Sequence, residues 1–119
     1  MSETAPRRIW LCADDYGLSD GVNRAIRDLI ERGRLNATSV MMVTPAIGRE
    51  AAAALQASVA KSPRCAIGLH VTLTAPFRPL TMHFRPLDGD MFLPFPRLLR
   101  AGLMRSEEHT SELQSQSNL

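Results

Sequence analysis

The sequence predicts an α/β fold with parallel strands, on three observations. Short apolar runs near residues 8–13, 38–43 and 66–73 are bounded by turn residues, as buried strands are. Two stretches of helical period or helix-forming composition lie between them. Strand, helix, strand, helix, strand implies parallel pairing through crossover helices.

The first run, Ile9 to Ala13, ends at two adjacent acids, Asp14 and Asp15, and a turn containing Gly17 follows. Ser19 or Asp20 is placed to cap a helix, because a short oxygen-bearing side chain can accept from the unpaired N–H groups of a first turn. Val22, Ala25, Ile26, Leu29 and Ile30 fall on one face of that helix, which is predicted to run to about Arg32. Gly33 sits where a helix ends in a left-handed residue. The second strand is expected over Thr38 to Val43. The second helix is expected over 48–61, around the Ala51 to Leu55 stretch of high helix propensity, and Ser62-Pro63 closes it. The third strand is expected over Ala66 to Leu73.

After Thr74 the pattern changes. Pro76, Pro79, Pro86, Pro94 and Pro96 rule out a central strand. Leu87-Asp88-Gly89-Asp90-Met91 carries a tight-turn signal and is expected to close a small hairpin. The excursion reads equally as a substrate loop or as a structural extension. A short helix is expected from Pro96 to about Met104. The last stretch, Arg105 to Ser115, lacks any apolar period. It is identified as the in-frame translation of a widely used sequencing-library adapter. The expected organisation is therefore 1–104 as protein domain and 105–119 as a disordered artefactual tail, in which His109 carries no function.

Composition narrows the function classes. With 119 residues, 45% of them hydrophobic, the chain makes one domain at most and has apolar content for a core. A net charge of +2 is too small to argue for nucleic acid or an anionic membrane. No signal peptide is expected, since acids follow the short apolar run at once, and no run reaches the ~20 apolar residues that cross a membrane, so a cytoplasmic protein is expected. Cys12 and Cys65 read as buried, reduced thiols.

Chemistry centres on the acid pair. The C-terminal ends of parallel strands face the ligand crevice in barrels and open sheets. Two carboxylates there repel each other unless a cation or proton intervenes. Alone, Asp14-Asp15 reads as readily as a turn-and-cap pair. His70, near the end of the third strand, reads alone as a rim residue, but with a carboxylate it fits a divalent-metal site. His83 reads as surface.

Taken together, four blocks resemble the YdjC-like carbohydrate deacetylases, a family that includes chitooligosaccharide and hopanoid-biosynthesis-associated deacetylases. They are Ala13-Asp14-Asp15-Tyr16-Gly17-Leu18-Ser19, Gly21 to Ile26, Thr38-Ser39-Val40-Met41 and Gly68-Leu69-His70-Val71-Thr72-Leu73-Thr74. Tyr16 stands where the family usually has Phe. The resemblance covers about residues 8–104. It implies the N-terminal part of a (β/α) barrel-like fold and a hydrolase that removes acetyl groups from N-acetylated sugars or glycolipids. It also implies a divalent metal, magnesium with zinc as the alternative. By motif, Asp14 resembles the general base, and Asp15 and His70 resemble two metal ligands. The family's second ligand His and its general acid have no match here. A closed barrel takes about 250 residues, so the chain is expected to be an incomplete, inactive fragment. A non-catalytic sugar- or metal-binding fragment is the alternative. A phosphoacceptor receiver module would also place acids after its first strand, but it needs an Asp where the third strand carries His70.

Overall fold

The computed structural model describes residue 5, residues 7–81 and residues 83–104. The adapter-like segment 105–119, with His109, lies outside them. The chain divides into two compact units, the first ending at Val71 and the second beginning at Thr72.

In the first unit, β1 (Cys12–Tyr16), α1 (Asp20–Glu31), β2 (Ala37–Met41), α2 (Arg49–Ala60) and β3 (Ala66–His70) follow one another. The strands form one parallel sheet in the order β1-β2-β3. This is the strand–helix alternation that begins a (β/α) fold. One cluster joins Tyr16 of β1, Val40 of β2, Ile26 and Ile30 of α1 and Leu55 of α2. Both helices therefore cover the same face of the sheet and leave the other face open.

Capping fixes where α1 starts. The Ser19 side chain accepts a hydrogen bond from the Val22 N–H at 3.3 Å, satisfying one orphan donor of the first turn. Gly33 follows the helix at φ +64°, the left-handed stop that was expected. The buried stripe differs from the predicted one. Ile26 and Ile30 are buried as expected, but Asn23 is buried with them and Leu29 is 39% exposed. The stripe is turned toward Asn23 because its carboxamide joins two loops. It accepts from the Gly17 N–H at 2.6 Å and donates to the Ala46 carbonyl at 3.1 Å. A buried amide is tolerated when both its ends are bonded.

β1 begins later than the expected 8–13, and the acids lie inside it. Ahead of it the chain is met by a side chain in place of a strand. Asn36 Oδ1 accepts from the Leu11 N–H at 2.6 Å, and Asn36 Nδ2 donates to the Ile9 carbonyl at 3.0 Å. A primary amide offers the same donor and acceptor as a peptide group, so Asn36 takes bonds that a ladder would otherwise use. Ile9 and Trp10 are 72% and 71% exposed, so this run is not the buried strand its composition suggested.

β2 and β3 are shorter than the expected 38–43 and 66–73. β3 also departs from the expectation of burial. Ile67 and Leu69 pair in register with Thr38 and Val40, on the side the helices cover, yet both are exposed and the core takes nothing from them. The thiols depart as well: Cys12 is exposed and Cys65 half-buried. Cys12 alternates with the core-facing Ala13 and so lies on the open face.

The second unit holds the expected hairpin, β4 (Leu87–Asp88) against β5 (Met91–Phe92), antiparallel. Gly89 takes φ +64°, the left-handed conformation that two-residue hairpin turns demand. Phe92 is buried and meets Phe84 edge-on at 5.0 Å. A final helix, α3, spans 95–104, and His83 is exposed as expected. Among the described residues no helix is long and apolar enough to cross a membrane.

Gly17 is the tightest point of the first unit. It has φ +104°, and a Cβ there would lie 2.7 Å from the Met41 carbonyl oxygen. Gly17→Ala is therefore expected to destabilise the chain by about 2–3 kcal/mol, combining backbone strain with a clash that backbone cannot relieve. Urea denaturation followed by circular dichroism measures this. An unchanged midpoint would mean that this turn has another conformation.

Candidate active site

The site begins with a register slip. Ala13 pairs with Thr38, but the next match is Tyr16 with Val40. Three steps on β1 thus cover two on β2, which leaves one extra residue, the mark of a β-bulge. Asp15 sits in the slip at φ +69° and is the one non-glycine residue with positive φ among the described residues. Asp tolerates the left-handed region better than most residues, because its short side chain bonds locally.

This slip decides where three consecutive side chains point. In a regular strand neighbours alternate faces, so Asp14 and Asp15 would be separated by the sheet. With the extra residue, Asp14 reaches Ser39 and Asp15 reaches His70, both on the open face, while Tyr16 still faces the helices. A turn at the strand's end could also bring two adjacent acids together. The structure does it with a bulge inside the strand.

Asp14, Asp15 and His70 lie together at the C-terminal ends of β1 and β3. His70 Nδ1 is 3.1 Å from Asp15 Oδ1, and both side chains are partly exposed. Asp14 Oδ1 accepts a hydrogen bond from Ser39 Oγ at 2.6 Å. Ser39 Oγ is also 3.3 Å from His70 Nδ1. The Ser39 hydroxyl bond holds the Asp14 carboxyl below the usual carboxylate range; lost hydration opposes it, and the Cys12 bond and then His70 add to the lowering. The Cys12 thiol, 3.6 Å from Asp14 Oδ1, is pushed up by lost hydration and then by the Asp14 charge. Asp14 is thus an anion throughout the neutral range, and Cys12 is a protonated thiol beside it.

Ser39 is the site residue that sequence reasoning passed over. The signal was present: Thr38 and Val40 are core-facing, so Ser39 between them must face the open side of the middle strand. Tyr16, by contrast, is not part of the open face. It is fully buried, its hydroxyl donates to the Ala51 carbonyl at 2.7 Å, and Arg27 donates to that hydroxyl at 2.8 Å. The extra oxygen that distinguishes it from Phe ties β1 to both helices.

The pair Asp15 and His70 suits a divalent cation. Two ligands each about 2.1 Å from one octahedral ion lie roughly 3 Å apart, close to the observed separation of 3.1 Å. Oxygen with imidazole nitrogen is a common donor set for divalent metals. Among the described residues no three His, Cys, Asp or Glu side chains are grouped so that they could hold a metal ion.

The YdjC-like protein family matches residues 8–118. The chain belongs to the YdjC-like family, whose members are related to carbohydrate deacetylases. No curated protein matches it, and no solved structure does.

The bulge makes an inverted prediction about β1. Asp15→Val, a strand-favouring change within a strand, is expected to cost about 1–3 kcal/mol, since a β-branched residue resists positive φ. Asp15→Gly is expected to stay within about 1 kcal/mol of the parent, as relieved strain offsets lost chain stiffness. Equilibrium denaturation of the two variants checks this; a Val variant as stable as the Gly variant would refute the bulge.

Proposed function

We propose that the chain carries the core of a metal-dependent hydrolase site that removes acetyl groups from N-acetylated sugars. The observation that supports this best is the division of labour on the open face: Asp15 meets His70, while Asp14 beside them is held apart by Ser39. In this reading Asp15 Oδ1 and His70 Nδ1 hold a divalent ion, magnesium or alternatively zinc, and water completes its shell. The ion would supply Lewis acidity toward the acetyl carbonyl and make a nearby water more acidic.

The protein's own part follows from its geometry. Asp14 is fixed by one oxygen to Ser39 and keeps the other free to accept a proton from water as general base. Its lowered proton affinity keeps it charged and ready, at some expense in basicity. The site's partial exposure leaves room for a sugar amide to approach. The products are acetate and an amino sugar.

Mn²⁺, which takes the same ligands as magnesium, is the convenient probe. Titration followed by electron paramagnetic resonance is expected to show binding that falls about 10-fold or more in Asp15→Asn and in His70→Ala. The chemistry is read by acetate release from N-acetylated chitooligosaccharides with Mg²⁺ or Mn²⁺. With two protein ligands, turnover is expected to be slow at best, and any release should vanish with chelator and with Asp14→Asn. Binding without release would point to a non-catalytic metal- or sugar-binding role. Absence of Mn²⁺ binding would overturn the metal reading.

A further inference from the structure

We infer that Ser39 is a positioning residue that keeps the two neighbouring carboxylates in separate roles by tying Asp14 away from the ion that Asp15 and His70 would hold; this rests on the function proposed above. One proton decides which partner Ser39 serves. A serine hydroxyl has a single hydrogen to donate and two lone pairs. Ser39 Oγ is 2.6 Å from Asp14 Oδ1 and 3.3 Å from His70 Nδ1. The shorter of these contacts is the bond in which Ser39 donates to Asp14, so the Ser39 proton is committed to Asp14. Toward His70, Ser39 can present only a lone pair. It therefore does not donate to Nδ1, the atom that faces Asp15.

The same bond restrains Asp14. Asp14 and Asp15 are adjacent in sequence and share the open face because of the bulge. A cation at Asp15 and His70 attracts every carboxylate within reach, and a third ligand gained there would be a base lost. The Ser39 bond is short and charge-assisted, the stronger class of hydrogen bond, and it comes from the middle of the central strand, where the backbone is least free to move. Sheet register puts Ser39 there: Thr38 on its N-terminal side pairs with Ala13, and Ser39 itself pairs with Gly68. Gly68 has no side chain to fill the space between Ser39 and the edge of the sheet.

This makes removal of Ser39 strengthen metal binding, the opposite of what mere damage to the site would do. Mn²⁺ binding to the full chain is compared for the parent, Ser39→Ala, Ser39→Thr and the double variant Ser39→Ala with Asp14→Asn. Ser39→Ala is expected to bind Mn²⁺ about 3–10-fold more tightly, because a freed carboxylate joins the ion, and water-proton relaxation should report fewer ion-bound waters. Ser39→Thr keeps the hydroxyl and should stay within about 2-fold of the parent. The double variant should lose the gain. If the parent binds Mn²⁺ and Ser39→Ala binds it equally or more weakly, the positioning role fails while the proposed function stands. If the parent binds no Mn²⁺, both fail together. Retention of the gain in the double variant would also overturn the role, since Asp14 would not be its source.

Discussion

One extra residue in β1 is the constraint on which the rest of the first unit depends. The three residues Asp14, Asp15 and Tyr16 carry demands that an alternating strand cannot meet. Tyr16 must enter the core, where it is fully buried and bonded to α2 and Arg27. Both acids must stay on the open face, because a carboxylate among Ile26, Ile30 and Leu55 would be an unpaired buried charge. Alternation would put Asp15 on the core side and Tyr16 on the open one. The slip at Asp15 solves this for about 1–2 kcal/mol of left-handed backbone, less for Asp than for most residues. Misplacing a Tyr side chain would cost at least as much in lost burial alone, and burying a charge far more.

A bulge needs support on both sides, and the sequence provides it. Immediately after β1, Gly17 passes close to Met41 and hands its N–H to Asn23 and its carbonyl to the Thr44 hydroxyl. Asn23 belongs to α1, and Thr44 to the loop leading into α2. The turn is thus gripped by the elements that flank the sheet, and Asn23 extends the grip to Ala46. Before the slip, Thr38 hydrogen-bonds through its side chain to the Ala13 carbonyl at 2.8 Å. Irregular backbone between two such anchors has little freedom to slide back into register. That rigidity gives the site its geometry, since positions on fixed strands hold catalytic groups more precisely than loops do.

The legible part of the chain was the part governed by period and caps. The alternation of elements, Ser19 as cap, Gly33 as stop and the hairpin around Gly89 follow from residue types whose local physics is strong. Both acids and His70 stood out near strand ends, and the structure brings them to one face. The illegible parts were those set by a partner far along the chain. Nothing near Ile9 to Leu11 announces that Asn36, 25 residues on, will take their peptide groups. Nothing in Asn23 itself says that it will be buried, because its two bonding partners lie in different loops. The apolar character of Ile67 and Leu69 suggested burial, but composition records what a residue tolerates, and whether a helix covers it is a tertiary matter. The bulge left one trace: a strand reading of 12–16 puts Asp15 on the core side beside Tyr16 on the open side, a conflict that only an extra residue removes.

Two identical carboxylates, adjacent in the chain, meet different partners on the open face. Their covalent structures are the same and they are one peptide apart, so their surroundings distinguish them, above all the partner each one meets. Asp14 is matched by a hydroxyl that has one proton to give, which fixes it as an anion with a free oxygen. Asp15 is matched by an imidazole nitrogen, which offers either a proton or a lone pair, and so the space between them can hold a proton or a cation. The first environment suits a base and the second a ligand. Neither environment comes from the acids themselves. Each is set by another strand, Ser39 on β2 for one and His70 on β3 for the other, and the parallel register of three short strands brings those partners to the two carboxylates.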